Sequence, residues 1–188
     1  MLLINDLINY CVTFFISKGL LFGFLLIVLE SFISILPLSA FVILNVNAYG
    51  LFLGILISWM ATCIGSYFCY LFFYYLNEKV ISKSKMNKFR NSIFKFRNIS
   101  FSNLVLLISM PYSPSFIINM LCGMSQISLE KFIIAIIIGK LFVIIFWGYI
   151  GRCFLANLMD IFSLLYVGIS LLLAYIISII INKKFIIE

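Results

Sequence analysis

From Ser31 to Asn77 the chain carries no charged residue. One membrane crossing takes about 20 residues at about 1.5 Å of helical rise each. This run of roughly 47 residues therefore has to fold back or cross twice. Three more apolar stretches follow, over 98–129, over 132–151 with Lys140 as its one charge, and over 161–182. Ahead of them, Leu3, Leu7, Tyr10 and Phe14 recur at helical spacing, which predicts an interfacial helix over 2–17 with Lys18 at the water boundary. The first crossing is expected over 19–35.

Within the apolar runs one pattern occurs twice. Pro37, Ser39, Ile43 and Asn45 can be laid over Pro111, Ser113, Ile117 and Asn119 at identical offsets, and Gly65 and Gly139 each lie 28 residues beyond their proline. The match predicts a duplication. Proline lacks an N–H and clashes with the preceding turn, so each copy breaks a helix. Broken backbone cannot face lipid, so both segments must line a polar cavity or pack against neighbouring helices.

Read as re-entrant hairpins over 36–49 and 103–124, the two copies are separated by one crossing and are therefore inverted. The fold expected is an all-α integral membrane protein with about four crossings (19–35, 51–77, 131–151, 159–181) and these two inverted-repeat hairpins. In domain terms, an N-terminal interfacial helix (1–18) precedes one membrane domain (19–182), and a short tail (183–188) follows it. The domain holds repeat 1 (about 30–77), a basic amphipathic segment (78–102), repeat 2 (about 103–156) and a last helix (159–181). Six plain crossings fit the charge pattern equally well, but leave the recurring proline and asparagine unexplained.

Composition narrows the chemistry. At 65% apolar and 10% charged, with a mean hydropathy of +1.24, the bilayer has to be the solvent. There is no histidine, which removes the commonest general base, proton switch and metal ligand. The five cysteines show no CxxC spacing and sit in or beside apolar runs, as packing residues do. No cofactor or metal is expected, and an enzyme is disfavoured because no nucleophile and base can be paired.

The net charge of +7 is concentrated, with seven of the thirteen basic residues between Lys79 and Arg97. Met86, Phe89, Ile93 and Phe96 form one apolar stripe there, so the segment is expected at the membrane surface. It reads as a topology anchor that also attracts anionic lipid head groups rather than nucleic acid. Lys183 and Lys184 carry the same bias, placing loop 78–102 and both termini in the cytoplasm of a multi-pass cell-membrane protein. The N-terminus, with Asp6 and no early Lys or Arg, does not resemble a cleavable signal peptide.

Around the two proline segments, Glu30-Ser-Phe-Ile-Ser-Ile-Leu-Pro37, the glycines Gly50, Gly54 and Gly65, and Pro111-x-x-Pro114-x-x-x-x-Asn119-x-x-x-Gly123 followed by Phe132 and Gly139-Lys140 resemble the VTT-domain membrane proteins. That superfamily includes the bacterial DedA and the eukaryotic SNARE-associated Golgi proteins, and the resemblance covers roughly residues 30–152. It implies movement of phospholipids or polyprenyl-phosphate carriers between leaflets along two opposed re-entrant hairpins. The chain departs from the family at Ser39, where an acid is common, and at Ile108, where an arginine is common.

Glu30 and Lys140 are ionisable groups expected near mid-membrane, which makes them candidates for the substrate or coupling path. Asn45 and Asn119 offer donors and acceptors inside the hairpins and join that path. Pro37, Pro111, Pro114 and Gly123 are assigned to hairpin shape. A transporter of lipid or lipid-linked head groups is the leading expectation. A proton-coupled small-solute or ion transporter and a non-transporting scaffold are the alternatives, and the small-xxx-small helix faces also leave room for a homo-oligomer.

Overall fold

A computed structural model describes Tyr10, 12–33, 37–83, Ile93, 96–156 and Leu172, with side chains except over 77–83 and 152–156. The last helix expected over 159–181, the tail, and most of the interfacial and basic segments lie outside the described residues. Seven helices are seen: α1 (Val12–Lys18), α2 (Leu20–Glu30), α3 (Leu38–Tyr49), α4 (Leu51–Lys83), α5 (Phe101–Ile108), α6 (Ser115–Met124) and α7 (Leu129–Ala156). Among the described residues there is no strand.

Among the described residues, only α4, over Leu51–Leu76, and α7, over Leu129–Gly151, are individually long and apolar enough to cross a bilayer. A third span is available if α1 and α2, bent by 104°, count as one. Gly19 sits at that bend with φ 77°, a conformation open to glycine without penalty. α3 and α6, of 12 and 10 residues, reach only about 15–18 Å, half of a ~30 Å hydrocarbon core. Large apolar side chains such as Phe52, Phe72, Tyr75 and Phe142 stand on the outer surface of the two long helices, as lipid contact requires.

In the region expected to cross over 19–35, α2 accounts for Leu20–Glu30. Helix α2 stops at Glu30, and the Ser31 N–H turns back to Val28 O. The chain then returns as α3, and the Tyr49 hydroxyl at its end donates to Phe15 O in α1 at 3.2 Å. Thus α2 and α3 form a helical hairpin whose two ends meet. Helices α5 and α6 do the same. Ser125 Oγ, just past α6, donates to Ile93 O at 2.9 Å, and Lys131 Nζ donates to Ile99 O, holding the chain before α5 against the chain after α6.

The two halves also pack alike. α2 lies on α4 as α5 lies on α7, while α3 crosses over to α7 and α6 to α4. A Cβ on Gly65 would come within 2.5 Å of Ser31 Oγ, and one on Gly139 within 2.7 Å of Ile108 Cγ2. The two glycines at matching repeat positions therefore admit matching helix ends. One core gathers Tyr70, Leu104, Cys122 and Phe132, with the Tyr70 ring stacked on Phe132 at 4.5 Å and its hydroxyl donating to Ile127 O at 2.5 Å. The smaller core holds Val42, Val46 and Ile144. Ile93 and Phe96 from the basic segment's apolar stripe belong to the first core, so that end of the stripe faces the protein.

Candidate functional site

Both hairpins put their breaks at the same place. Pro37 and Pro114 are the residues just ahead of α3 and α6, each with extended backbone and no side-chain cap. The first N–H groups of both helices are therefore left without a capping side chain. Proline suits such a position because it has no N–H to lose and its fixed φ leads into a helix.

The two hairpin tips border one cavity of about 320 Å³. Pro37 and Ser39 come from the first tip, Pro111, Ser113 and Ser115 from the second, and Glu30 from the end of α2. Helix α7 adds Lys140 and Trp147. Tyr112 closes the wall with an edge-on contact to Trp147, centroids 5.8 Å apart.

Glu30 and Lys140, separated by 110 positions in sequence, are thus brought to one wall, 6% and 3% exposed. Lys140 Nζ donates to Ser115 Oγ, the first residue of α6, at 2.6 Å. Glu30 Oε2 and Ser113 Oγ are buried with no hydrogen-bond partner. A lysine ammonium and two uncapped helix N-termini, each worth about half a positive charge, give the cavity the means to hold a phosphate or carboxylate.

Asn45 and Asn119 are placed behind the cavity rather than in its wall. Asn45 Nδ2 donates to Ser58 Oγ at 3.1 Å, joining α3 to α4, and its side chain fills the space above Gly23. Asn119 is buried with an unpartnered Nδ2. Gly123 admits the α4 backbone, with Tyr70 O at 2.5 Å from a would-be Cβ. Ser113 and Ser115 were not singled out from the sequence for the site. Ser113 had a signal, as the repeat mate of Ser39, whereas Ser115 becomes visible only through its bond to Lys140.

The profile of the VTT domain family matches residues 36–153, which include α3, α4, the second hairpin and most of α7. Two proteins of Bacillus subtilis (strain 168) are similar to the chain. The uncharacterized membrane protein YhjE is 32% identical over 135 residues, covering 71% of this chain and 65% of that protein. The uncharacterized protein YqeD is 29% identical over 172 residues, covering 89% of this chain and 79% of that protein. The matched part of the chain thus spans just under two thirds of YhjE's length. No solved structure matches the chain.

Proposed function

The chain belongs to the VTT domain family of membrane proteins, and we propose that it translocates lipid or lipid-linked head groups between leaflets of the cell membrane without acting as an enzyme. The observation that carries this reading is the convergence of both hairpin tips, Glu30 and Lys140 on one cavity. In this reading α2–α3 and α5–α6 are re-entrant hairpins, entering from opposite faces and meeting near mid-membrane as inverted repeats. Neither hairpin spans, so a head group can pass between their tips while its acyl chains stay in hydrocarbon. The cost of stripping water from the phosphate is offset by Lys140, Ser115 and the free N–H groups of α3 and α6.

Ser39 and Ile108, the positions at which the family resemblance leads one to expect an acid and an arginine, both line the cavity. Lys140 supplies from α7 the cation that Ile108 lacks, and Glu30 supplies from α2 the carboxylate that Ser39 lacks. The basic segment 78–102 and the tail 183–188 are assigned to the cytoplasmic face, where the segment attracts anionic lipid. With α2–α3 entering and leaving on one face, Lys18 falls on the face opposite the basic segment.

The test is reconstitution of the purified chain into liposomes containing acyl-labelled phospholipid, with label in the outer leaflet reduced chemically. Protein-containing vesicles are expected to lose label from both leaflets. Ser39→Trp, which fills the cavity from the first tip, is expected to slow exchange about tenfold, the effect of about 1.4 kcal/mol added to the barrier. Label in the inner leaflet that stays protected in the presence of folded protein would overturn the proposal.

A further inference from the structure

Glu30 is at odds with the rest of the cavity wall. Lys140, Ser115 and the uncapped starts of α3 and α6 all favour a negative group, yet a carboxylate stands beside them. Its Oε2 is buried without a partner. Among the described residues no ion pair joins Glu30 to Lys140, and the lysine's hydrogen bond goes to Ser115 instead. A bare phosphate seated on Lys140 would be repelled by Glu30, and repulsion of this kind is how a site rejects the wrong ligand.

A ligand that brings its own cation reverses the sign of that contact. We propose that the cavity selects a zwitterionic head group, its phosphate held by Lys140, Ser115 and the two helix starts, and its ammonium held by Glu30. The chemical class is a phosphodiester or phosphomonoester joined by a short linker to a primary ammonium. A cavity of about 320 Å³ lies at the small end of the range for small-molecule sites, suited to such a head without its acyl chains. An ammonium also donates hydrogen bonds, which a carboxylate oxygen with no partner can accept. Glu30 is then a specificity-determining residue, and the inference rests on reading the cavity as a lipid path.

The experiment compares exchange of acyl-labelled phosphatidylethanolamine with that of acyl-labelled phosphatidylglycerol in otherwise identical proteoliposomes. The wild-type chain is expected to move the ethanolamine lipid about tenfold faster. Glu30→Gln keeps the shape of the side chain and removes its charge. It is expected to bring the two rates within about twofold, chiefly by speeding the glycerol lipid, because a repulsive contact has been removed. Glu30→Asp is expected to keep the preference.

Equal rates for the two lipids in the wild type would overturn the inference while leaving lipid translocation standing. A Glu30→Gln protein that elutes as the wild type does but slows both lipids equally would do the same. Exchange of neither lipid would overturn the parent reading instead. A last arm offers free phosphoethanolamine to the vesicles. Its uptake without lipid exchange would retain recognition of both charges and overturn the lipid as its source, whereas no uptake supports the lipid.

Discussion

Gly65 and Gly139 hold matching places in the two halves, and each has no room for even a methyl group. A Cβ at Gly65 would meet Ser31 Cβ and Val28 O at 2.9 Å as well as Ser31 Oγ at 2.5 Å, so α2 would have to move off α4. Gly65→Val is therefore expected to cost about 1–3 kcal/mol as overpacking does, read as a lower midpoint of thermal unfolding in detergent. Gly50 is the opposite case, with nothing within 4 Å of its would-be Cβ but a φ of +82°. Gly50→Ala is expected to cost about 1–3 kcal/mol through backbone alone, because φ 82° with ψ 165° is a conformation confined essentially to glycine, and Gly50→Asn is expected to cost as much, since asparagine tolerates only the left-handed helical region. A Gly50→Asn variant clearly more stable than the alanine would remove that account.

What the sequence made legible at this scale was the cost of a charge. Glu30 and Lys140 interrupt long apolar runs, and burying an ionisable group is expensive whatever the fold around it, so both could be singled out without knowing their neighbours. That they share one cavity could not be read, since 110 positions of chain separate them and only the packing of α2 and α7 on α4 brings them together. Asn45 and Asn119 sent the same polar signal, but polarity alone does not say whether a side chain faces a cavity or a neighbouring helix. Asn45 is held by its contact with Gly23 and its bond to Ser58 on α4, and Asn119 is buried as fully.

Among the elements, α4 and α7 were the plainest in the sequence, since apolar runs over 51–77, without charge, and 132–151, with Lys140 as its one charge, leave few other outcomes in a membrane. The hairpins were legible as breaks but not as lengths. Proline marks where helices α3 and α6 start, yet nothing near Glu30 announces that α2 ends there. The first hairpin therefore includes α2 and is longer than the 36–49 expected, whereas the second, with α5 and α6 over 101–124, nearly matches 103–124.

Tyr70 fastens the start of α7 and the turn before it to α4 by two contacts, the stack on Phe132 and the hydrogen bond to Ile127 O. Tyr70→Phe keeps the ring and removes the bond, leaving a buried carbonyl without that donor. The expected loss is about 1–2 kcal/mol, measured by unfolding, with the stack preserved. Tyr70→Leu, which removes both, is expected to lose more. Equal stability of wild type and Tyr70→Phe would show that the hydroxyl contributes nothing to fastening the turn between α6 and α7.

For the whole molecule, the two hairpin mouths lie at opposite ends of α4. The first is where Tyr49 meets Phe15, next to Leu51, and the second is where Ile93 meets Ser125, beside the turn that meets α4 at Tyr70. If α4 crosses the bilayer, the mouths must open on opposite faces, and on the proposed topology the second, near the positive charge between Lys79 and Arg97, opens on the cytoplasmic face. Single cysteines in a background lacking the native five can report this with a membrane-impermeant thiol reagent. Lys18→Cys and Ala48→Cys are both expected to label from outside intact cells, and Ser84→Cys and Ser100→Cys only in inverted vesicles. The informative pair is Lys18 with Ala48, because they bracket α2 and α3. If they label from opposite faces, α2 is part of a crossing over 19–35 after all and only the second hairpin is re-entrant. If they label from the same face, the chain enters and leaves the membrane without crossing, which is what the bond from Tyr49 back to Phe15 requires.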